Sequence, residues 1–98
     1  MELKSDEIQL VGRWYESAGR TVADTMCQRI DDLISGSLTK ITSDSSGWDI
    51  LYQDPKDERY WELTYPESQW HGGGPPQLTH LSYDQAKKKY KLDHPKSQ

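Results

Sequence analysis

The chain has 98 residues, a formal net charge of −4, one cysteine, four tryptophans, six tyrosines and no phenylalanine. That length suits one domain with a modest, aromatic core, and the single cysteine excludes a disulfide framework or a cysteine metal cluster. Mean hydropathy is −0.99, yet periodic apolar segments argue against disorder, and no apolar run approaches the roughly 20 residues needed to span a bilayer.

No signal-peptide pattern opens the chain, so a soluble cytoplasmic protein is expected. Charge is unevenly placed: residues 1–86 hold fifteen carboxylates against seven Lys and Arg, while residues 87–98 hold five Lys and one Asp. An acidic body disfavours nucleic acid and suits a basic partner, although ordinary solubility explains it as well.

Residues 10–16 (LVGRWYE) read as a first strand in which Val11, Arg13 and Tyr15 oppose Leu10, Gly12 and Trp14. Gly12 there allows a bulge or tight packing. Residues 17–20 make a turn. Ala23, Met26, Cys27, Ile30, Leu33 and Ile34 then recur at helical spacing as one apolar stripe. Thr21, three residues before Asp24, resembles a capping box, and Gly36 is the expected stop. The opposite helix face carries Asp24, Gln28, Arg29, Asp31 and Asp32. Cys27 lies in the stripe and reads as a core thiol rather than a nucleophile.

Residues 38–43 form a short strand, residues 44–47 (DSSG) carry turn chemistry, and residues 48–53 alternate Trp48, Ile50 and Tyr52 against Asp49, Leu51 and Gln53. A polar loop at 54–59 leads to residues 60–65 (YWELTY), where Trp61, Leu63 and Tyr65 oppose Tyr60, Glu62 and Thr64. The two strands make an antiparallel hairpin. The segment after them, residues 66–76 (PESQWHGGGPP), is either a demanding turn or a recognition surface. Residues 78–81 supply one more strand. Ser82 with Gln85 forms a capping box that opens a helix through Tyr90. The expected fold is α+β: an antiparallel sheet of about five strands packed against one central amphipathic helix, with a short C-terminal helix. Residues 1–92 form the single domain, and residues 93–98 a disordered basic tail.

His71-Gly72-Gly73-Gly74 matches an esterase oxyanion loop only superficially, because no G-x-S-x-G elbow accompanies it and the chain is too short for that fold. His71, His80 and His94 lack metal-ligand spacing, so neither a metal nor another cofactor is expected. Asp49 and Glu62 could meet across the hairpin as a hydrolytic carboxylate pair. A solvated acidic face shared with Asp54, Asp57 and Glu58 accounts for them more simply. Lys87-Lys88-Lys89, with Lys91, reads as a solvated helix end rather than a nucleic-acid site. What survives is an acid excess: residues 31–67 hold nine carboxylates against three Lys and Arg, with Trp48, Tyr52, Tyr60, Trp61 and Tyr65 among them and Trp70 just beyond. Acids around an aromatic anchor suit a fast-binding inhibitor of a basic protein. Trp70 is either that anchor or a ring folded back on Pro75 and Pro76.

Val11-Gly12-Arg13-Trp14 and residues 47–55 (GWDILYQDP), 59–66 (RYWELTYP) and 71–76 (HGGGPP) together resemble immunity protein 27 of bacterial polymorphic toxin systems, over roughly residues 10–92. The resemblance implies a small cytoplasmic antidote, without catalysis or cofactor, that binds and neutralises a toxin domain. Such toxins are commonly nucleases delivered by contact-dependent inhibition or a secretion system. A 1:1 complex with a basic nuclease then follows, with Asp54, Asp57, Glu58, Tyr60, Glu62, Glu67, Trp70 and His71 as candidate contacts. The alternative contact face is Asp24, Gln28, Asp31 and Asp32 on the helix, which leaves Trp48, Trp61 and the glycine-proline turn as scaffold. The competing reading is a small non-catalytic interaction module, or a subunit of a larger assembly, that recruits its partner through an exposed sheet edge. Nothing in the sequence demands more than a free monomer, and neither nucleic acid nor membrane is expected as a partner.

Overall fold

A computed structural model of the chain describes residues 3, 4, 6–66 and 74–92. Among them the elements run β1 (Gln9–Val11), β2 (Trp14–Ser17), β3 (Arg20–Ala23), α1 (Thr25–Asp32), a π-helical turn (Leu33–Ser37), β4 (Thr39–Ser43), β5 (Ile50–Gln53), β6 (Tyr60–Thr64), β7 (Gln77–Leu81) and α2 (Tyr83–Tyr90). Five strands make one antiparallel sheet in the order β1-β7-β6-β5-β4, and β2 pairs with β3 as a separate ribbon. The fold is α+β, as the sequence leads one to expect. The expected tail at 93–98 lies outside the described residues, as do residues 67–73.

Alternation in the strands sorts side chains onto two faces. On one face Ile50, Leu63, Leu78 and Leu10 stand opposite one another across four consecutive strands. Ile30 and Leu33 of the helical segment, with Leu38 after it, close over this row and the adjacent Tyr52–Trp61 pair. Each fully buried Leu or Ile there contributes about 1.5–3 kcal/mol. The sequence leaves the other face without a helical cover. In the structure α2 lies there, and Ala86 and Tyr90 pack on Leu51 and Tyr60. The Ser82 capping box forms as expected, with Ser82 Oγ accepting from Gln85 N at 3.1 Å and Gln85 Oε1 accepting from Ser82 N at 2.9 Å.

Three local expectations are corrected. The single strand over residues 10–16 is two strands, β1 and β2, that break at Gly12 and Arg13 and join different sheets. The chain is tightly enclosed at the break: Gly12 N donates to Pro76 O at 2.9 Å, and a Cβ on Gly12 would sit 2.7 Å from both Cys27 Sγ and Pro76 O. The helix also starts later than the Thr21 cap. Ala18 (φ 55°) and Gly19 (φ 76°) form a two-residue turn that folds Arg20–Ala23 back onto β2, so Thr21 pairs with Glu16. Pairing overrides the capping signal, and Asp24 caps α1 by accepting from Cys27 N at 2.9 Å. Gly36 does not stop the helix. It lies within the π-helical turn, which closes through Leu38 N donating to Leu33 O at 2.8 Å.

The N-terminal segment is tied to α1 by a two-point ion pair, Arg29 Nη1 and Nη2 each 2.6 Å from a Glu7 carboxylate oxygen. Arg29 holds the Glu7 carboxyl, ordinarily near 4.5, down to about 2. A depressed carboxyl adds stability that is complete above its ordinary value and lost as pH falls through the folded one. Between pH 5 and pH 2 the wild type should therefore lose about 1 kcal/mol, after solvent screening, that Glu7→Gln never has. Urea midpoints of the two proteins across that range measure it. Gly12→Ala should destabilise by about 1–3 kcal/mol through overpacking. Gly36→Ala, whose Cβ would enter open space at a position without positive φ, should stabilise by about 0.4–1 kcal/mol. Thermal melts of the two variants check this pair of opposite signs.

Candidate functional site

The hairpin of β5 and β6 is rich in acids, and its loop is locked by them. Asp54 N donates to Arg59 O at 2.9 Å, Glu58 N donates to Asp54 O at 2.7 Å, and the Asp54 carboxylate accepts from Lys56 N at 2.9 Å. Asp54 is thereby only 6% exposed. Asp57 accepts from Arg59 N at 3.0 Å and from Arg59 Nε at 2.7 Å. Burial works against the Asp57 charge, but the hydrogen bonds from Arg59 outweigh it and lower the carboxyl's pKa. Arg59 then reaches the N-terminal segment, donating to Glu7 O at 2.8 Å and Lys4 O at 3.0 Å, while its guanidinium lies 5.0 Å from the Trp61 ring centre. Among the eight primary candidates, Asp57 and Glu58 face solvent, and Asp54, Tyr60 and Glu62 are buried. Glu67, Trp70 and His71 lie outside the described residues.

Glu62 belongs to a network on the α2 face. Tyr90 Oη donates to Glu62 Oε2 at 2.8 Å, and Lys89 Nζ pairs with both Glu62 and Asp49, the latter at 2.8 Å. The Asp49–Glu62 pair that the hairpin alternation suggested does come together, with a lysine between the two carboxylates. Burial and then the Glu62 hydrogen bond push the Tyr90 hydroxyl's pKa up. Burial opposes the Lys89 charge, but Asp49 and Glu62 hold its pKa above the ordinary range. Lys89 is thus part of the fold, whereas Lys87 and Lys88 face solvent near the end of α2, where cations suit the helix dipole.

On the α1 side, Asp24 is the cap, Gln28 Nε2 donates to Asp32 Oδ1 at 3.0 Å, and Asp31 is exposed. Cys27 is buried, with its thiol donating to Arg13 O at 3.4 Å. Sequence reasoning missed Trp48. Alternation placed it with Ile50 and Tyr52 as scaffold, yet β5 starts only at Ile50 and Trp48 sits on the preceding turn, 53% exposed. The signal was present in the turn residues: Asp44 and Gly47 bend the chain so that Trp48 cannot take the strand's first inward position. Among the described residues no group of three or more His, Cys, Asp and Glu could hold a metal ion. None of their helices is long and apolar enough to cross a membrane.

Lys89→Met strands Glu62 and Asp49 without their shared cation, so it should destabilise by about 1–3 kcal/mol. The neighbouring Lys87→Met should stay within about 0.5 kcal/mol, and chemical denaturation of the two variants separates them.

The geometry is that of a rigid, acid-rich and aromatic surface on a small sheet. Comparison with curated proteins and with solved structures finds no match. The family model for immunity protein 27 matches residues 16–82, a span that takes in the ribbon turn, α1 and strands β4 to β7. The chain belongs to the immunity protein 27 family.

Proposed function

We propose that the protein is a cytoplasmic antidote that binds the toxic domain of a cognate toxin 1:1 and blocks its active site without catalysing any reaction. Family membership over residues 16–82 carries the antidote reading. Charge supports the choice of target: residues 31–66 hold eight carboxylates against three Lys and Arg, and a nuclease, which must bind phosphate, offers the complementary basic cleft. In this reading Asp57 and Glu58 meet the toxin from the β5–β6 loop, with Glu67, Trp70 and His71 following β6. Asp54, Tyr60 and Glu62 hold the hairpin beneath that surface. The alternative contact face is Asp24, Gln28, Asp31 and Asp32 on α1.

The test is co-purification with the C-terminal domain encoded by the adjacent upstream gene, followed by growth rescue in cells expressing that domain. A 1:1 complex with rescue is expected, association should slow as salt is raised, and the unopposed domain should degrade nucleic acid. Failure to bind or to rescue overturns the antidote reading in favour of an interaction module. Rescue from a toxin that leaves DNA and RNA intact overturns the nuclease assignment alone.

A further inference from the structure

Trp48 is displayed, not merely exposed. Its turn is locked by Asp44 Oδ1, which accepts from Ser46 N (3.1 Å), Ser46 Oγ (2.7 Å), Gly47 N (3.0 Å) and Asp49 N (3.4 Å). Ser46 Oγ in turn accepts from Trp48 N at 3.1 Å, and Gly47 supplies the positive φ of 81° that the turn needs. The indole meets Tyr65 edge-on, with ring centroids 5.8 Å apart and planes at 76°, and Tyr65 packs against the main core. Backbone and ring are therefore set in advance, while about half of the largest side chain remains in water. A rigid aromatic of this kind loses little conformational entropy when it is buried by a partner, and such residues dominate interface energies. Ile8 and Tyr15 are also exposed, but scattered apolar residues of that sort are ordinary.

Charge decides what covers it. Asp44 is in the same turn, and Asp31 is close enough for its charge to act on Tyr65. One nearby cation is engaged elsewhere: Lys89 by Asp49 and Glu62. A second copy of the chain would set acid against acid here, so the fitting occupant is a basic protein surface with an apolar pocket. We infer that Trp48, backed by Tyr65 and seated on the Asp44 turn, is the anchor that inserts into such a pocket on the toxin domain. The inference rests on the antidote reading and adds the anchoring residue to it.

The probe is the toxin domain encoded upstream, titrated with wild type, Trp48→Ala, Trp48→Phe, Asp31→Lys and the ribbon control Tyr15→Ala. Trp48→Ala should weaken binding about 30-fold or more, mainly through faster dissociation. Trp48→Phe should retain part of the affinity, and Tyr15→Ala should bind as wild type does. Asp31→Lys should slow association at low salt, with the difference shrinking at high salt. Melting temperatures should fall only slightly, since about half of the Trp48 side chain is already in water. In the free protein, acrylamide should quench a fluorescence component that Trp48→Phe removes, and toxin should protect it. Binding by Trp48→Ala within about three-fold of wild type, an indole already shielded in the free protein, or self-association that depends on Trp48 would each overturn the anchor. If wild type itself fails to bind, the antidote reading falls and takes the anchor with it. If wild type and Trp48→Ala bind alike, only the anchor falls.

Discussion

Burial of β6 on both faces is the constraint from which the rest of this structure follows. The strand lies third of five, between β7 and β5, and its alternating residues serve two cores. Trp61 and Leu63 enter the cluster closed by the α1 segment, and Tyr60 enters the one closed by α2. Between them Glu62, 8% exposed, would be an unfavourable group under a helix were it not hydrogen-bonded and paired. Tyr90 and Lys89 meet that requirement from α2, which fixes where the helix lies on the sheet. A one-residue slip of β6 would carry Trp61 to the α2 side and Glu62 into the main core. The register of the sheet and the docking of both helices are thus one decision.

A second set of contacts ties the chain's start to the hairpin loop. Arg59 links the Asp57 carboxylate, the carbonyls of Lys4 and Glu7, and the face of Trp61, while Glu7 grips Arg29 of α1. The Trp61 ring also stacks near His80, its cross-strand neighbour, at 5.6 Å between centroids. Its indole Nε1 finds no hydrogen-bond acceptor among the described residues, a local penalty that packing and the guanidinium above the ring offset. The result is a loop whose backbone is held from several sides.

Stiffness of this kind suits the proposed inhibitor. A protein that only has to occupy another protein's surface gains affinity by ordering its contacts before the encounter. Two acid-locked turns, one organised by Asp44 and one by Asp54 and Asp57, present the neighbouring exposed side chains in fixed positions. The acids of this chain therefore do two jobs. Some, such as Asp54 and Glu62, are consumed in holding the fold, and others, such as Asp31, are exposed and, in the proposed function, set the field that a partner meets.

The sequence by itself determined the α+β class, the β5–β6 hairpin, the turns at 17–20 and 44–47, the apolar stripe of α1 and the capping box of α2. These are local or periodic signals, written within a few residues of the structure they specify. Even the tight fit at Gly12 was legible as a possibility, though not its partners. Only the tertiary structure decided which acids are buried, because Glu62 is inward by virtue of a helix some thirty residues later in the chain. It also decided that Thr21 pairs in a ribbon instead of capping a helix, and that Trp48 stays in solvent instead of joining Tyr52 in the core. Strand pairing and helix docking are long-range choices, and they override a local preference wherever the area buried outweighs it.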